Sequence, residues 1–191
     1  MKVCVLSSGS KGNSTLVITD KVKILIDLGT TTSYVEAALN NLNVDVKEIS
    51  HILITHSHVD HIKGLKVFIK RYNPVILVTE DMKNVLEKEL GNFRYEYYED
   101  KKAIIDDLTV NVIKTSHDAE ESIGFVLTNN NSSMVYITDT GYINQKYFKI
   151  LSNNNLYVLE SNHDIKMLMD GPYPYYLQQR VRGDKGHLSN K

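Results

Sequence analysis

The sequence predicts an α+β fold in which two β-sheets pack face to face and helices cover them. Three observations support this. Short β-branched runs come in two blocks, one near the N-terminus and one after residue 108. Segments with helical spacing of apolar residues follow or separate those runs. The 191 residues, 42% apolar and 24% charged, suffice for a single core. One domain over residues 1–191 is therefore expected.

The first block predicts three strands and then alternates helix with strand. Turn-forming residues separate β-rich runs at 3–7, 14–19 and 22–27. Apolar residues at helical spacing predict a helix over 32–42. The next predicted elements are a strand at 51–55, a helix at 59–71, a strand at 75–78 and a helix at 80–90.

The second block returns to strand. The predicted elements are strands at 108–114, 123–128 and 134–138, a helix at 143–151 and a strand at 156–159. The residues that follow are read as a polar tail without further elements.

Charge and composition indicate where in the cell the protein is located but say little about its substrate. The net charge of −1 lacks the basic excess typical of nucleic-acid-binding proteins, although residues 178–191 hold four cations against Asp184 alone. No apolar stretch approaches the roughly 18 residues that a membrane span needs, and no signal-peptide organisation is visible. The single Cys4 cannot form an internal disulfide. A cytoplasmic protein without membrane contact is expected.

The strongest chemical signal is Thr-His-Ser-His-Val-Asp-His at 55–61, here called the histidine loop. In an extended loop, residues two apart point to the same side, so His56 and His58 can converge on one metal ion. The chain then turns into a helix, which aims Asp60 and His61 at a second ion a few ångströms away. Two-metal hydrolases use such a separation.

Further polar residues follow predicted strands. Each stands directly after an apolar run, where the strand fixes the backbone and the side chain can face a cleft. These residues are Asp27, His117, Asp139 and His163. His51, which begins a strand far from its ligand end, is read as structural.

Several longer motifs resemble the metallo-β-lactamase superfamily and, within it, the YycJ/WalJ family, a bacterial branch with nuclease-like activity. The resemblance covers essentially the whole chain. It is carried by Ser-Ser-Gly-Ser-Lys-Gly-Asn (7–13), Thr-His-Ser-His-Val-Asp-His-Ile-Lys-Gly-Leu (55–65), Glu-Ser-Asn-His-Asp (160–164), Gly-Pro-Tyr-Pro (171–174) and Asp-Lys-Gly-His-Leu-Ser-Asn (184–190). It implies a four-layer αββα sandwich.

The resemblance also implies a ligand set for two divalent ions, zinc or manganese. His56, His58 and His117 would bind one ion, Asp60 and His61 the other, and Asp139 would bridge them. Asp27 would hold a ligand histidine or the loop in place, or else cap the turn before Gly29. Family members add a last metal-binding histidine on a helix and strand beyond Gly-His-Leu-Ser. Those elements do not follow here, so an incomplete domain is expected, with a second metal site short of one ligand.

Catalytic and substrate-binding residues follow from the same resemblance and from the local chemistry. Asp60 or Asp139 would orient the attacking water, and His163 or His187 would assist the departing oxygen, although a structural role is open for both histidines. Ser10 and Asn13 lie in a glycine-containing loop that suits either phosphate contact or a tight hairpin turn. Arg180 and Arg182 form a basic edge. The tyrosine-rich stretch 173–176 could stack bases or pack as a lid.

The expected function is metal-dependent phosphodiester hydrolysis, which the resemblance extends to DNA digested from a 5′ end. A thioester or lactone hydrolase on the same fold is the first alternative, and it would line the cleft with apolar residues. A non-enzymatic binding module depleted of metal is the second. The sequence leaves the oligomeric state open.

Overall fold

The computed structural model describes all residues from 1 to 191 and contains two β-sheets with α-helices around them. The strands are β1 Lys2–Ser7, β2 Ser14–Ile18, β3 Lys23–Ile26, β4 Ile49–Leu53, β5 Val75–Val78, β6 Tyr95–Tyr97, β7 Lys102–Ile105, β8 Leu108–Lys114, β9 Ile123–Asn129, β10 Ser132–Ile137 and β11 Leu156–Leu159. The helices are α1 Thr32–Asn41, α2 Val59–Ile62, α3 Leu65–Tyr72, α4 Glu80–Leu90, α5 Phe148–Leu151, α6 Ile165–Asp170 and α7 Tyr175–Arg182.

The first sheet has six strands in the order β1 to β6. Strands β1, β2 and β3 are antiparallel, whereas β3, β4, β5 and β6 run parallel to one another. The carboxyl ends of β3 and β4 therefore meet at one edge of the sheet. Asp27 follows β3 at that edge, and the histidine loop follows β4.

The second sheet has five strands in the order β11-β10-β9-β8-β7. Both β8 and β10 are antiparallel to β9, so they run in the same direction and end at the same edge. Strand β11 is parallel to β10 and ends beside it. The segments that carry His117, Asp139 and Glu160 consequently leave the sheet together.

The core lies between the sheets and confirms the predicted four-layer architecture. Along β9 the side chains alternate: Phe125 and Leu127 join the large core between the sheets. Val126 faces outward, where it packs with Leu151 of α5. On the far side of the first sheet, Leu39 of α1 and Phe68 of α3 are fully buried against the same core. This alternation is what a sheet covered on both faces requires.

Two strands and two helices lie where the sequence predicted no element. Strands β6 and β7 are short and largely exposed, so they carry little of the alternation by which strands are recognised. Helices α6 and α7 lie in the segment that was read as a polar tail. In each of them only one residue is buried, Leu168 in α6 and Gln178 in α7. Their apolar faces are therefore too narrow to give a periodic signal.

The helix predicted over 59–71 is divided into α2 and α3 at Lys63 and Gly64. A Cβ atom on Gly64 would stand 2.3 Å from the carbonyl oxygen of Thr30. The break thus lets the chain pass close to the turn after β3. The helix predicted over 143–151 shortens to α5, which a 3-10 turn at Gln145–Tyr147 precedes. None of the helices combines the length and apolarity required to cross a bilayer.

Candidate metal centre

Three histidine side chains converge at the shared edge of the sheets. The Nε2 atom of His56 lies 3.1 Å from Nδ1 of His58, and Nε2 of His117 lies 3.3 Å from that same atom. His56 is fully buried, His117 is 7% exposed and His58 is more open. Two of these residues come from the histidine loop and the third from the segment after β8. The structure thus brings together the three residues predicted for the first ion.

A second group of potential ligands shares His56 with the first and adds His61 and Asp139. The Nε2 atom of His61 lies 3.0 Å from Oδ2 of Asp139. Asp60, predicted as a ligand of the second ion, places Oδ2 at 3.7 Å from the same nitrogen. Asp139 also groups with His117 and His187, so its carboxylate stands between the two sets, as a bridging ligand would.

A buried hydrogen-bond network fixes the histidine loop from behind. Asp27 is fully buried and accepts hydrogen bonds from the backbone N–H and the hydroxyl of Thr55, at 2.8 and 2.9 Å. Its Oδ2 also lies 2.8 Å from Nδ1 of His61. Asp27 therefore orients His61 through Nδ1 and leaves Nε2 facing Asp139, the arrangement that carboxylates behind metal ligands commonly produce.

Asp27 and Asp139 share an uncommon backbone conformation. Each follows its strand with a positive φ, 58° for Asp27 and 47° for Asp139. Residues other than glycine adopt this region at some energetic cost and do so preferentially at functional sites. The turn aims both carboxylates at His61.

Protonation of the two inner histidines is set by their surroundings. Burial, together with the charge of His61, lowers the pKa of His56 to about 2, so His56 is neutral. Burial also opposes a charge on His61, but the charge of Asp27 and hydrogen bonds to Asp139 and Asp27 outweigh it and raise the pKa of His61 to about 10. Burial alone would raise the pKa of Asp139, yet the hydrogen bond and charge of His61 hold it well below its usual range.

These donors fit divalent metal ions. In the first group, neutral His56 offers a ring nitrogen beside those of His58 and His117. In the second group, two carboxylates stabilise a positive charge on His61. Imidazole with carboxylate is a donor set that zinc and manganese both accept. The carboxylates of Asp27 and Asp139 stabilise a proton on the buried imidazole of His61. The same negative charge favours a metal cation at that position. The cluster therefore supports binding of divalent metal.

The glycine-containing loop of residues 9–13 packs on the histidine loop. The backbone N–H of Asn13 donates to the carbonyl of Asp60 at 2.8 Å. The Nδ2 atom of Asn13 lies 3.1 Å from Nε2 of His61 and 3.5 Å from Oδ2 of Asp60. Gly29 lets the backbone segments approach so closely, since a Cβ atom there would stand 1.6 Å from the carbonyl oxygen of Asp60. Asn13, predicted to bind substrate, thus contacts two predicted metal ligands.

A cleft of about 430 Å³ opens over the cluster. Of the twenty residues that line it, only four are hydrophobic. The lining includes Ser10 of the glycine-containing loop, Asp60, and Arg180 from α7. The guanidinium of Arg180 binds Oδ2 of Asp118 through Nε at 2.7 Å and Nη2 at 2.6 Å. The lining thus combines backbone and hydroxyl groups with an arginine that is paired to a carboxylate.

His187 lines the same cleft from the C-terminal segment. Its Nδ1 lies 2.5 Å from Oε1 of Glu160 and 3.4 Å from Oδ1 of Asp139. Burial opposes a charge on the ring, but the hydrogen bond to Glu160 outweighs it and raises the pKa of His187. Glu160 is itself held by the backbone N–H groups of Thr140 and Leu188. The imidazole is thus held in a fixed orientation by Glu160 within the cleft.

Comparison with known proteins decides the family. Residues 8–176 match the model of the metallo-β-lactamase superfamily. The chain belongs to the metallo-β-lactamase superfamily.

Similar proteins place the chain within one branch of it. The chain is 36% identical to "Exodeoxyribonuclease YycJ" of Bacillus anthracis, over 98% of this chain and 72% of that protein. It is 33% identical to "Exodeoxyribonuclease WalJ" of Streptococcus pneumoniae strain D39, over 100% of this chain and 73% of that protein. It is thus a member of the YycJ/WalJ family, as its motifs indicated. The metallo-β-lactamase fold protein YhfI of Bacillus subtilis superimposes with a TM-score of 0.68 at 16% identity, over 84% of this chain and 71% of YhfI.

Two predicted site residues of this metallo-β-lactamase domain lie outside the cleft. His163 lines a neighbouring cavity between α6 and α7. Arg182 directs Nη1 to the sulfur of Met169 at 3.3 Å and does not line the cleft. His51 lies within β4 and pairs with the hydroxyl of Ser50 at 2.9 Å. The cleft thus receives Arg180 and His187 from the C-terminal segment, but neither His163 nor Arg182.

Sequence reasoning missed three residues that organise the metallo-β-lactamase site. Thr55 contacts His56 and His61 through its hydroxyl, at 3.0 and 3.2 Å. Oδ1 of Asp118 lies 3.3 Å from Nε2 of His117, and Glu160 binds His187. Each stands next to a recognised motif residue or at the end of a strand. The same strand-end criterion that selected Asp139 could have found Glu160.

Proposed function

We propose that this chain is a two-metal phosphodiesterase that degrades DNA from a 5′ end, with zinc or manganese as the cofactor. The observation that carries the proposal is the polar cleft over two adjoining ligand groups that share His56. The names of the relatives, exodeoxyribonucleases from two bacteria, support DNA as the substrate. A cytoplasmic location belongs to the same proposal.

The lining of the cleft favours a phosphodiester over a thioester or lactone. An acyl substrate with an apolar chain would need apolar walls, but only four of the lining residues are hydrophobic. Backbone and hydroxyl groups of Ser8, Gly9 and Ser10 line the cleft together with Arg180. Such donors suit the charged oxygens of a phosphate.

We assign the ligands by the geometry of the two groups. His56, His58 and His117 would hold one ion, and Asp60, His61 and Asp139 the other, with Asp139 between them. Divalent ions, when bound, polarise a phosphoryl oxygen and make a water nucleophilic at neutral pH.

The side chains of the cleft are proposed to do the rest of the chemistry. Asp60 or Asp139 orients the attacking water through its carboxylate. Arg180 contacts a non-bridging oxygen of the phosphate and holds it for in-line attack. His187, oriented by Glu160, protonates the departing oxygen. Of the two histidines considered for that role, His187 is favoured because it lines the cleft and His163 does not.

A cleavage assay tests the proposal. Duplex DNA and RNA, each labelled at the 5′ or the 3′ end, are incubated with the chain and added Mn²⁺ or Zn²⁺. We expect the 5′ label to be released first as a mononucleotide and the 3′ label to give a ladder. Asp60→Ala should lower the rate by about a hundredfold, because loss of even a residue behind metal ligands costs 10–100-fold.

Asp20→Ala is the matched control, since Asp20 is an exposed aspartate in the turn before β3, at the opposite end of that strand from Asp27. It should cleave as the wild type does. Equal activity in Asp60→Ala would overturn the metal-centred reaction. Less than one metal per chain by elemental analysis, with no cleavage of any phosphodiester, would instead support a non-enzymatic binding module.

A further inference from the structure

A cavity of about 740 Å³ lies between α6 and α7, beside the cleft. Asn162 lines both spaces, so the cavity adjoins the cleft at that residue. Its size falls within the range of about 300–1,000 Å³ that small-molecule pockets occupy. Nothing in the proposed reaction uses it. A ligand group attached to a phosphate in the cleft could reach it past Asn162.

The walls of the α6–α7 cavity combine apolar and hydrogen-bonding groups but lack cations. Met167, Leu168, Tyr173 and Leu177 provide apolar surface. Two carboxylates, including that of Asp164, line the cavity, and no lysine or arginine does. A phosphate would be repelled there. A neutral, flat ring with N–H donors would be accommodated, since carboxylates accept hydrogen bonds from base amino groups.

His163 is the one histidine in the lining of the α6–α7 cavity. Its Nδ1 is buried and has no hydrogen-bond partner, so a ligand in the cavity meets other atoms of the ring. The backbone holds the residue in place, because the carbonyl of His163 accepts from the N–H of Asn190 at 2.9 Å. The imidazole is thus held as part of the cavity wall.

The geometry points to a nucleobase pocket: the α6–α7 cavity receives one base of the DNA strand whose phosphodiester lies in the cleft. This inference rests on the proposed function and names the part of the substrate that the cavity recognises. Tyr173, which is 49% exposed, offers its ring as a stacking platform. His163 meets the edge of the base. Because every base has a flat face, the stack on Tyr173 does not by itself select the identity of the base.

Binding of an uncleavable oligonucleotide tests the pocket. A short single strand with phosphorothioate linkages and a fluorophore at its 3′ end is titrated with the chain in the presence of Mn²⁺, and its anisotropy is followed. Abasic nucleotides are placed at successive positions from the 5′ end. We expect one position at which removal of the base weakens binding about tenfold, the scale of one base–aromatic stack.

Variants assign that loss to the cavity. Tyr173→Ala should bind the intact strand about tenfold more weakly and no longer respond to the abasic position, whereas Tyr173→Phe should keep both properties. Tyr176→Ala is the matched control, because Tyr176 is 73% exposed and does not line the cavity. His163→Phe keeps an aromatic ring but removes both imidazole nitrogens, so it should weaken binding of the oligonucleotide several-fold.

Two outcomes would overturn the proposal that the α6–α7 cavity binds a nucleobase. One is DNA that binds and is cleaved but shows no sensitive base position. The other is equal behaviour of Tyr173→Ala and Tyr176→Ala. In both cases the proposed nuclease activity would stand. If DNA is neither bound nor cleaved, the proposed function fails and the pocket fails with it.

Discussion

The histidine loop and the C-terminal segment meet at one cleft but are built differently. In the loop, Thr55, His56 and His61 are fully buried and tied to the equally buried Asp27. In residues 160–191, only Leu168, Gln178 and Gly186 are buried, and the groups that reach the cleft are held by pairs such as His187 with Glu160. The comparison suggests a division of work. In the proposed function, the buried half would hold the cations and the exposed half would contact the substrate.

Removal of the Asp27 side chain should have the largest effect, a loss of unfolding free energy, because it breaks hydrogen bonds in the buried half. Asp27→Ala removes the carboxylate paired with Nδ1 of His61 and leaves the backbone N–H of Thr55 without its partner, in a site with no water-exposed surface. Breaking a buried charged pair in this way costs about 3–5 kcal/mol of unfolding free energy. Urea denaturation of the metal-free protein measures it, with Asp20→Ala as the exposed control. A loss no larger than that of the control would contradict the proposed anchoring.

Glu160→Gln tests the exposed half. Glu160 orients His187 without joining the metal groups, so its replacement should lower kcat by about 10–100-fold. The metal content should stay at the wild-type value. Steady-state kinetics and elemental analysis of the same preparation separate the two effects. Loss of metal from Glu160→Gln would show that the C-terminal segment also holds the ions.

Metal binding should depend on pH through His61. Its pKa of about 10 means that the metal-free protein carries a proton there at neutral pH. A cation at Nε2 must displace that proton, so apparent affinity should rise about tenfold for each pH unit up to that pKa. His56, with a pKa of about 2, is already neutral and adds nothing to the dependence. Calorimetry in buffers of different ionisation enthalpy counts the released proton, and a pH-independent affinity would refute this assignment.

Arg180→Ala should have the smallest effect of the four. Arg180 lines the cleft but is partly exposed and paired with Asp118, so its loss should raise KM for DNA several-fold with little change in kcat. Arg182→Ala provides the matched comparison, since Arg182 lies two residues away and outside the cleft. Both KM values follow from initial rates on labelled duplex. Equal values for the two variants would argue against a substrate contact by Arg180.

The sequence predicted the buried half far better than the exposed half. The strand, turn and helix around His56 and His61 carry strong apolar periodicity, and the spacing of the ligands in the loop is typical of a metal site. Helices α6 and α7 each bury a single residue, so no periodic face revealed them. His163 and Arg182, which were predicted as site residues, also lie in the C-terminal segment. There the directions of α6 and α7 decide which side chains reach the cleft. Their neighbours His187 and Arg180 do reach it.

By itself, the sequence determined the two-sheet fold, the family and the identity of the histidines and aspartates at the strand ends. Local periodicity and fixed short spacings encode the strands and the histidine loop, whereas the family followed from the resemblance of the longer motifs. Only the tertiary structure decided which carboxylate supports which imidazole, as Asp27 does for His61 and Glu160 for His187. The tertiary structure also showed that His163 lines the α6–α7 cavity and not the cleft. Partners more than twenty residues apart meet only after the sheets pack, and no local pattern records their distance or direction.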